Sequence, residues 1–511
     1  MVDYLQKRVV VRKKLRDNTW TTETNGFVLK DTKSEKVAIN LGKSRDSFNF
    51  SIRNPNNTLY ENFYSGNGST VGFTIAYSPI PTEHLSGKSK KFNVYIGGLL
   101  KAYTTDYTVS SSTLTFTTAP ASGDRNIRIV YSFMESDDLV DIYLWKNASF
   151  DSLTTAQKNT ARKIEGQIIE PTVNKGENVV SVKGYGLIDT IFSGMAFAQF
   201  DPDTVNRAHL AIQQIISQLN KFNPNRTIYG QDAAEWTALG NDTSTGVVQY
   251  NSKYRTAIEM IEELSGDKYT GNGQYIYYVV YNGEEDRYEF KWKAKTTESS
   301  GTITEGTDAN MIKMSRSTED VINVVIFNAG NDCYGNGQEY LNYDFTINGF
   351  GAKWKYVSET STISQALINA EFESNTALWD TGDNNERTEN FPVSYPYTFQ
   401  YTKARGVTGI PTGSNIIASN DKGFNKTIRD ESEWIGKFWT DRIIRLYSNP
   451  RYVATLFIPY HADRDLSIGN MYTIDMPCFG LNGKKLRLIR VTHEFTGVNY
   501  EFEEDETTVL L

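Results

Sequence analysis

Cysteine is nearly absent, with 2 among 511 residues. Cys333 and Cys478 lie far apart, and neither a disulfide framework nor a zinc site is built from so few at such spacing. They are expected to be two small buried side chains. Long apolar runs are missing as well. No stretch approaches the roughly 18 apolar residues of a membrane span. Met1–Trp20 is strongly charged and lacks the apolar segment of a secretory leader. A soluble protein made in the cytoplasm is expected. Excess positive charge is also lacking: 53 Lys and Arg against 61 Asp and Glu give a net −8. That balance argues against general binding along nucleic-acid phosphates, which needs a basic footprint.

What is abundant is Tyr (31), Phe (26) and Gly (38), against only 13 Pro. Aromatic and β-branched residues fit pleated, half-buried surfaces, and Gly with Asn supplies turns. The composition is that of a β-rich protein with large loops. Strands are predicted at Arg8–Val11, Gly26–Leu29, Val37–Ile39 and Phe48–Ile52, the last alternating Phe48, Phe50 and Ile52 with polar Asn49 and Ser51. Asn54-Pro55-Asn56-Asn57 then breaks the pattern. Residues 62–134 read as an inserted β-sandwich, with a hairpin signal at Gly97-Gly98 and a turn at Ala119–Asp124. An insertion at a surface loop costs little closure entropy, so this module is expected to fold independently at the periphery. The host domain resumes with Asp138–Leu144 and two more strands, Gly166–Ile169 and Asn178–Lys183.

Helical spacing appears at Val205–Leu219, and Thr256-Ala-Ile-Glu259 is a capping box opening a second helix. An aromatic hairpin follows, Tyr275–Tyr281 and Arg287–Lys293, with Asn282-Gly283 as its type I′ turn. Val321–Phe327 reads as a buried strand, Ile363–Phe372 and Glu431–Leu446 as helices, and 375–425 as a long loop or arm. Strands close the chain at Arg451–Ile458, Met471–Met476, Leu486–Val491 and Val498–Glu503. The fold class is therefore α+β, mainly β, and multidomain. Its division is 1–61 with 135–190, the insertion 62–134, an α/β domain 191–300, a second β domain 301–360 with 447–511, and helices and arm over 361–446. Asp138–Leu144 and Ile468–Met476 echo each other weakly, as a duplicated β unit would.

Chemistry-bearing patterns are sparse. His84, His209, His461 and His493 show no metal-pair spacing and read as surface or boundary residues. There is no G-x-S-x-G elbow and no P-loop. Gly184-Tyr185-Gly186 lacks the third glycine of a dinucleotide fingerprint and reads as tight packing. Asp380, Asp383 and Glu386 sit in a Gly/Asn-rich loop without EF-hand spacing and read as a solvated loop. Glu501–Glu506 reads as an exposed strand end. A carboxylate pair of the glycosidase kind meets only in space, and nothing in the sequence selects one. The basic run Lys7, Arg8, Arg12, Lys13, Lys14 and Arg16 reads as the polar face of an edge strand or a contact with an acidic neighbouring subunit. No catalytic, cofactor or metal residue is assigned, and the chain is expected not to be an enzyme.

Three stretches resemble phage baseplate hub and tail-tip proteins. The first is Phe48–Asn56, resumed by Asp137–Leu144 and ending in Val180–Gly186. The second is Tyr254–Ser265, the aromatic hairpin and Asp320–Phe327. The third is Leu466–Met476 followed by Asn482–Phe495. Each is mostly strand pattern, and their order is the more specific part. The resemblance implies a homotrimer in the virion, at the tail tip or baseplate, each subunit supplying two tube-like β-barrels. It implies neighbours too: a distal tail or tail tube protein, a tape-measure protein, and a central spike, fibre or receptor-binding protein. DNA would pass transiently through its channel, and 62–134 would face a host surface. The rival readings are a receptor- or carbohydrate-binding tail protein, for which exposed aromatics on 62–134 would speak, and a tail-associated hydrolase, whose mark would be a buried carboxylate pair in a cleft.

Overall fold

A computed structural model describes residues 5–358 and 450–504, apart from 197–207, 240–254, 266–274, 329–338, 344–353 and shorter internal stretches. The chain opens with β1 (Leu5–Arg12), β2 (Phe27–Leu29), β3 (Thr32–Asn40) and β4 (Ser47–Arg53). In β4 the predicted alternation holds: Phe48, Phe50 and Ile52 are buried and Asn49 is exposed.

The inserted segment builds two small sheets. One orders β5 (Glu61–Gly66), β11 (Gly123–Val130), β7 (Asn93–Ile96) and β8 (Leu99–Leu100). The other orders β6 (Gly72–Thr74), β10 (Thr113–Phe116) and β9 (Tyr107–Ser110). A short helix, α1 (Thr82–Leu85), lies between β6 and β7. Gly97 and Gly98 turn β7 into β8 at positive φ, 54° and 83°, as the hairpin signal requires. The module's apolar interior is not separate. Its Tyr131 and Phe133 rings stand 5.0 Å apart, and Phe27 of β2 lies edge-on to both, at 6.4 and 5.5 Å. One continuous core joins the module to β1 and β2. A shared core of this kind couples the module to its host, and whether the module folds by itself is a question for unfolding experiments.

The host sheet resumes with β12 (Leu139–Lys146), α2 (Thr155–Ala161), β13 (Arg162–Asn174) and β14 (Val179–Gly186). A capping box of Thr154 and Gln157 starts α2. Antiparallel ladders order the strands β4-β14-β13-β12-β1-β2. A Cβ on Gly166 or Gly184 would come within 2.3 Å of the Phe48 ring, so these glycines admit that ring against the sheet.

Next come α3 (Leu187–Phe192), α4 (Ala208–Phe222), β15 (Ile228–Tyr229), α5 (Ala233–Ala238), α6 (Ala257–Ser265), β16 (Tyr275–Asn282) and β17 (Arg287–Ala294). The capping box of α6 is present: Glu259 N–H donates to Thr256 Oγ1 at 3.4 Å, and Thr256 N–H donates to Glu259 Oε2 at 3.0 Å. The hairpin register pairs Asn282 with Arg287, which leaves a four-residue connection in place of the expected two-residue turn. Asn282 serves the strand end: its Nδ2 donates to Glu289 at 2.8 Å and its Oδ1 accepts from Glu285 N–H at 3.2 Å. Trp236 and Trp292 are fully buried among α4, α6 and the hairpin.

The last unit contains β18 (Ser299–Thr304), β19 (Asn310–Arg316), β20 (Val324–Asn328), β21 (Glu339–Tyr343) and β22 (Trp354–Ser358). It ends with β23 (Tyr452–Pro459), β24 (Met471–Met476), β25 (Leu481–Glu494) and β26 (Gly497–Glu503). The predicted helices 363–372 and 431–446, the arm 375–425 and His461 lie outside the described residues. Along one edge, β25 pairs first with β24 and then, from Arg490 to Glu494, with β3. This ladder fuses the two β units into one 13-stranded sheet running from β2 to β19. The mainly β, multi-unit architecture is as the strand pattern predicts. Among the described residues the sheets are open, so the two tube-like barrels are not seen as closed rings. β24 has a parallel neighbour in β18, whereas both neighbours of β12 are antiparallel, so the weak echo does not extend to pairing.

Candidate functional site

The turn after β3 is where the three units meet. Leu41 N–H donates to Ile489 O of β25 at 2.9 Å, and Gly42 N–H donates to Tyr277 O of β16 at 3.0 Å. Four residues on, Gly186 N–H at the head of α3 donates to Asp46 O at 2.9 Å. A cavity of about 310 Å³ opens beside this turn. Its walls come from β3, β13, α3, the β16–β17 hairpin and β25, with Phe192, Tyr278 and Tyr281 among the aromatic faces. Such a concave, mixed lining at a domain junction is the usual setting of a functional site.

Two carboxylates stand in the cavity wall, 143 residues apart in sequence. Asp189 Oδ2 accepts from Asp46 N–H at 3.1 Å, and Asp46 Oδ1 accepts from Asn40 N–H at 2.7 Å. Removal from water pushes Asp189 up to about 7, against the backbone hydrogen bond from Asp46 and the charge of Arg45. Asp46 is pushed well above the usual carboxylate range by the same desolvation and by the Asp189 charge. Burial, aided by Lys163, drives the His493 imidazole in the same wall down to about 3. Each aspartate thus spends an oxygen on a backbone N–H of the turn, so the pair acts first as a staple between that turn and α3. The sequence held no local signal for it.

A second polar cluster lies under β1. Arg12 is bound by Asp141 at 2.8 Å and by Glu165, and all three side chains are buried. Glu165 also accepts from the Tyr288 hydroxyl at 2.8 Å, which ties β13 to the α/β hairpin. Arg162 stacks over the Tyr281 ring, 4.0 Å from its centre. Lys13, fully buried, binds Asp138 at 2.5 Å and Glu135 at 3.4 Å. Lys7 binds Glu35 at 2.8 Å, and Lys14 reaches Asp137 at 3.6 Å. Lys7, Arg12, Lys13 and Lys14 of the basic run are therefore each met by an acid of the same chain. β1 is no edge strand; it lies between β12 and β2. The edge-strand half of the reading is corrected: the buried cations of β1 need partners, and these come from β3, β12, β13 and the loop before β12.

Other sequence candidates fall in ordinary places. His84 is buried, not superficial, with Nδ1 2.9 Å from the Tyr131 hydroxyl, and burial with the charges of Lys91 and Lys13 keeps its pKa below the usual value. His209 is buried in α4. Cys478 is exposed on the turn Pro477–Phe479, against the expectation of a buried side chain, because the turn leaves the sheet there; Cys333 lies outside the described residues. Gly184 and Gly186 serve packing. Glu501 and Glu503 belong to half-buried β26, and Glu504 binds Lys484 at 3.0 Å. Asp380, Asp383 and Glu386 lie outside the described residues. Among the described residues no three His, Cys, Asp or Glu side chains gather as metal ligands would, and no helix is long and apolar enough to cross a membrane.

No family model matches the chain, and no curated protein matches it. Tail proteins are among the solved structures that it resembles. A prophage tail protein from Shewanella oneidensis has 7% identity and a TM-score of 0.43, over 99% of this chain and 98% of that one. A tail protein from Neisseria meningitidis has 8% identity and a TM-score of 0.42, over 98% of each chain. A prophage tail protein from Listeria monocytogenes has 8% identity and a TM-score of 0.40, over 98% of this chain and 96% of that one. Scores and identities this low establish no common function.

Proposed function

We propose that this chain is a structural component of a phage tail: a trimeric hub at the tail tip that joins a sixfold tube to a threefold end and lines the DNA channel. The observation that carries the reading is where the resembling stretches fall. Phe48–Asn56, Asp137–Leu144 and Val180–Gly186 lie on or beside β4, β12 and β14. Leu466–Met476 and Asn482–Phe495 contain β24 and most of β25. These strands, from opposite ends of the sequence, belong to one continuous sheet through the β25–β3 ladder. A hub that presents two β units side by side to a ring needs that kind of rigid join. Function then resides in interfaces with the tube, tape-measure and spike or fibre proteins, and not in catalysis.

Channel chemistry fits the same reading. A wall that passes DNA quickly should hold few free cations, since each phosphate neutralised adds affinity. Arg12 and Lys13 are buried against acids of the same chain, which removes those two as phosphate ligands. Of the module's aromatics, Phe92, Tyr107, Phe116 and Tyr131 are core residues and Phe63 is exposed, so the larger part of the ring surface is spent on packing. Particle imaging with the chain labelled tests the proposal. Three copies at the tail tip are expected; one copy, six copies or a lateral position would overturn it.

A further inference from the structure

We propose that the outward face of the inserted module's four-stranded sheet binds an acidic polysaccharide, with the Phe63 and Tyr95 rings as stacking surfaces and Arg125 and Arg128 as carboxylate ligands. The inference does not depend on the tail-hub reading. It starts from register. Arg128 of β11 stands opposite Phe63 of β5 on one side and Tyr95 of β7 on the other, and Tyr95 stands opposite Leu100 of β8. Directly opposed residues share a face, so these four form one row across four strands. Their strand neighbours Val94, Ile127 and Ile129 are buried on the other face, which turns the row to solvent. Phe63 and Leu100 are exposed, Tyr95 is half-buried, and half of the Arg128 side chain is open. Two strand spacings separate the rings, about 10 Å.

A cation is fixed at each ring. The Arg128 guanidinium lies 5.6 Å from the centre of the Tyr95 ring, and that of Arg125 lies 4.4 Å from the centre of the Phe63 ring. Arg125 reaches its ring because β11 bulges, its register with β5 shifting between Gly123 and Ile127. The bulge sets Arg125 at φ 48°, a conformation that arginine rarely adopts. Neighbouring side chains hold it there. Arg125 N–H donates to Ser65 Oγ at 2.9 Å, Ser65 Oγ donates to Asp124 Oδ1 at 3.0 Å, and Asn126 accepts from Gly66 N–H and donates to Ala121 O, each at 2.8 Å. A strained residue so firmly held is a common feature of ligand clamps. The acids nearby are engaged, Asp124 with Ser65 and Glu61 with Arg128 Nε; the terminal nitrogens of Arg128 point the fork of a carboxylate ligand.

Charge and composition choose the ligand. Residues 62–134 hold six Lys or Arg against three Asp or Glu, an excess of three in a chain of net charge −8. The module therefore attracts anions that the rest of the chain repels. A protein interface would gather apolar side chains at a core depleted of charge. Here the rings alternate with hydrogen-bonding groups along their strands: Phe63 lies between Glu61 and Ser65, and Tyr95 follows Asn93. Rings for the apolar face of a pyranose, polar groups for its hydroxyls and a guanidinium for its carboxylate suit a sugar-acid polymer.

The test is affinity electrophoresis of the full chain in gels carrying alginate, polygalacturonate or hyaluronate, with dextran and polyglutamate gels as controls. At least one sugar acid is expected to retard the wild type, dextran not at all and polyglutamate far less. Tyr95→Ala and Arg128→Ala are each expected to weaken binding about tenfold, the loss of one ring contact or one charge-assisted bond. Leu100→Asp, at an open position, places an acid in the row and should abolish retardation while leaving the unfolding midpoint unchanged. Binding to none of the three sugar acids would overturn the proposal. So would equal retardation by dextran, which would remove the role of charge, or by polyglutamate, which would leave charge alone. Folded variants that bind as the wild type does would place the contact elsewhere and overturn it as well.

Discussion

At the residue scale, the strongest constraint is the matching of buried charge. Lys13 and Asp138 are each about 1% exposed and 2.5 Å apart. Burial alone would discharge Asp138, and it does raise its pKa, but Lys13 and the N–H groups of Lys14 and Glu135 oppose it. Replacing one partner strands the other. Lys13→Met is therefore expected to cost about 3–5 kcal/mol, while Lys13→Met with Asp138→Leu recovers most of it, a double-mutant cycle read by urea unfolding. The opposite kind of fit occurs at Gly184, whose hydrogen leaves room for the Phe48 ring. Gly184→Ala is expected to cost about 1–3 kcal/mol by overpacking, with Phe48→Leu relieving part of it in the same assay. Neither pairing was legible in the sequence. Lys13 and Asp138 were each readable as charged strand residues, but their contact spans 125 positions, and Asp46 with Asp189 spans 143. Local patterns carry period and capping; they carry no information about which distant carboxylate closes on which cation.

At the scale of elements, the sequence was more informative because the physics is local. Alternation in β4, the capping box of α6 and the glycine hairpin at Gly97-Gly98 each depend on neighbours within a few residues, and each appears as read. The Asn282-Gly283 turn failed for a reason also visible locally, since Asn282 bonds within the strand to Glu289. The inserted module is a different case. Its strands were legible, but its independence was inferred from its boundaries. Packing decides independence, and Phe27 of β2 sits against Tyr131 and Phe133. Phe133→Ala, fully buried in the wild type, is expected to destabilise by about 3–5 kcal/mol. The loss should appear in one cooperative transition of module and host, monitored by exchange in both Leu5–Arg12 and Asn93–Ile96. Two separated transitions, with only the module shifted, would bear out an independent module.

At the scale of the whole molecule, the question is what makes two β units one body. The answer lies in β25, which is 14 residues long and serves two neighbours along one edge. Before β24 and between β17 and β18 the chain lies outside its ladders, and buried carbonyls there need a side-chain donor. Arg487, 1% exposed, is that donor: its guanidinium donates to Gly469 O at 2.7 Å and to Thr296 O at 2.9 Å. Thr296 follows the α/β hairpin and Gly469 precedes β24, so one side chain holds both to the shared strand. Arg487→Met keeps much of the apolar stem and removes every donor. It is expected to cost about 2–5 kcal/mol, the range for hydrogen bonds to a charged group whose buried partners are then left unmade. The effect should be directional as well as large. Exchange protection should fall at the start of β24 and in the segment between β17 and β18, while β1 and β12 retain theirs below the midpoint. If protection instead fell evenly across all strands, Arg487 would be an ordinary core residue, and the join would rest on the β25–β3 ladder alone.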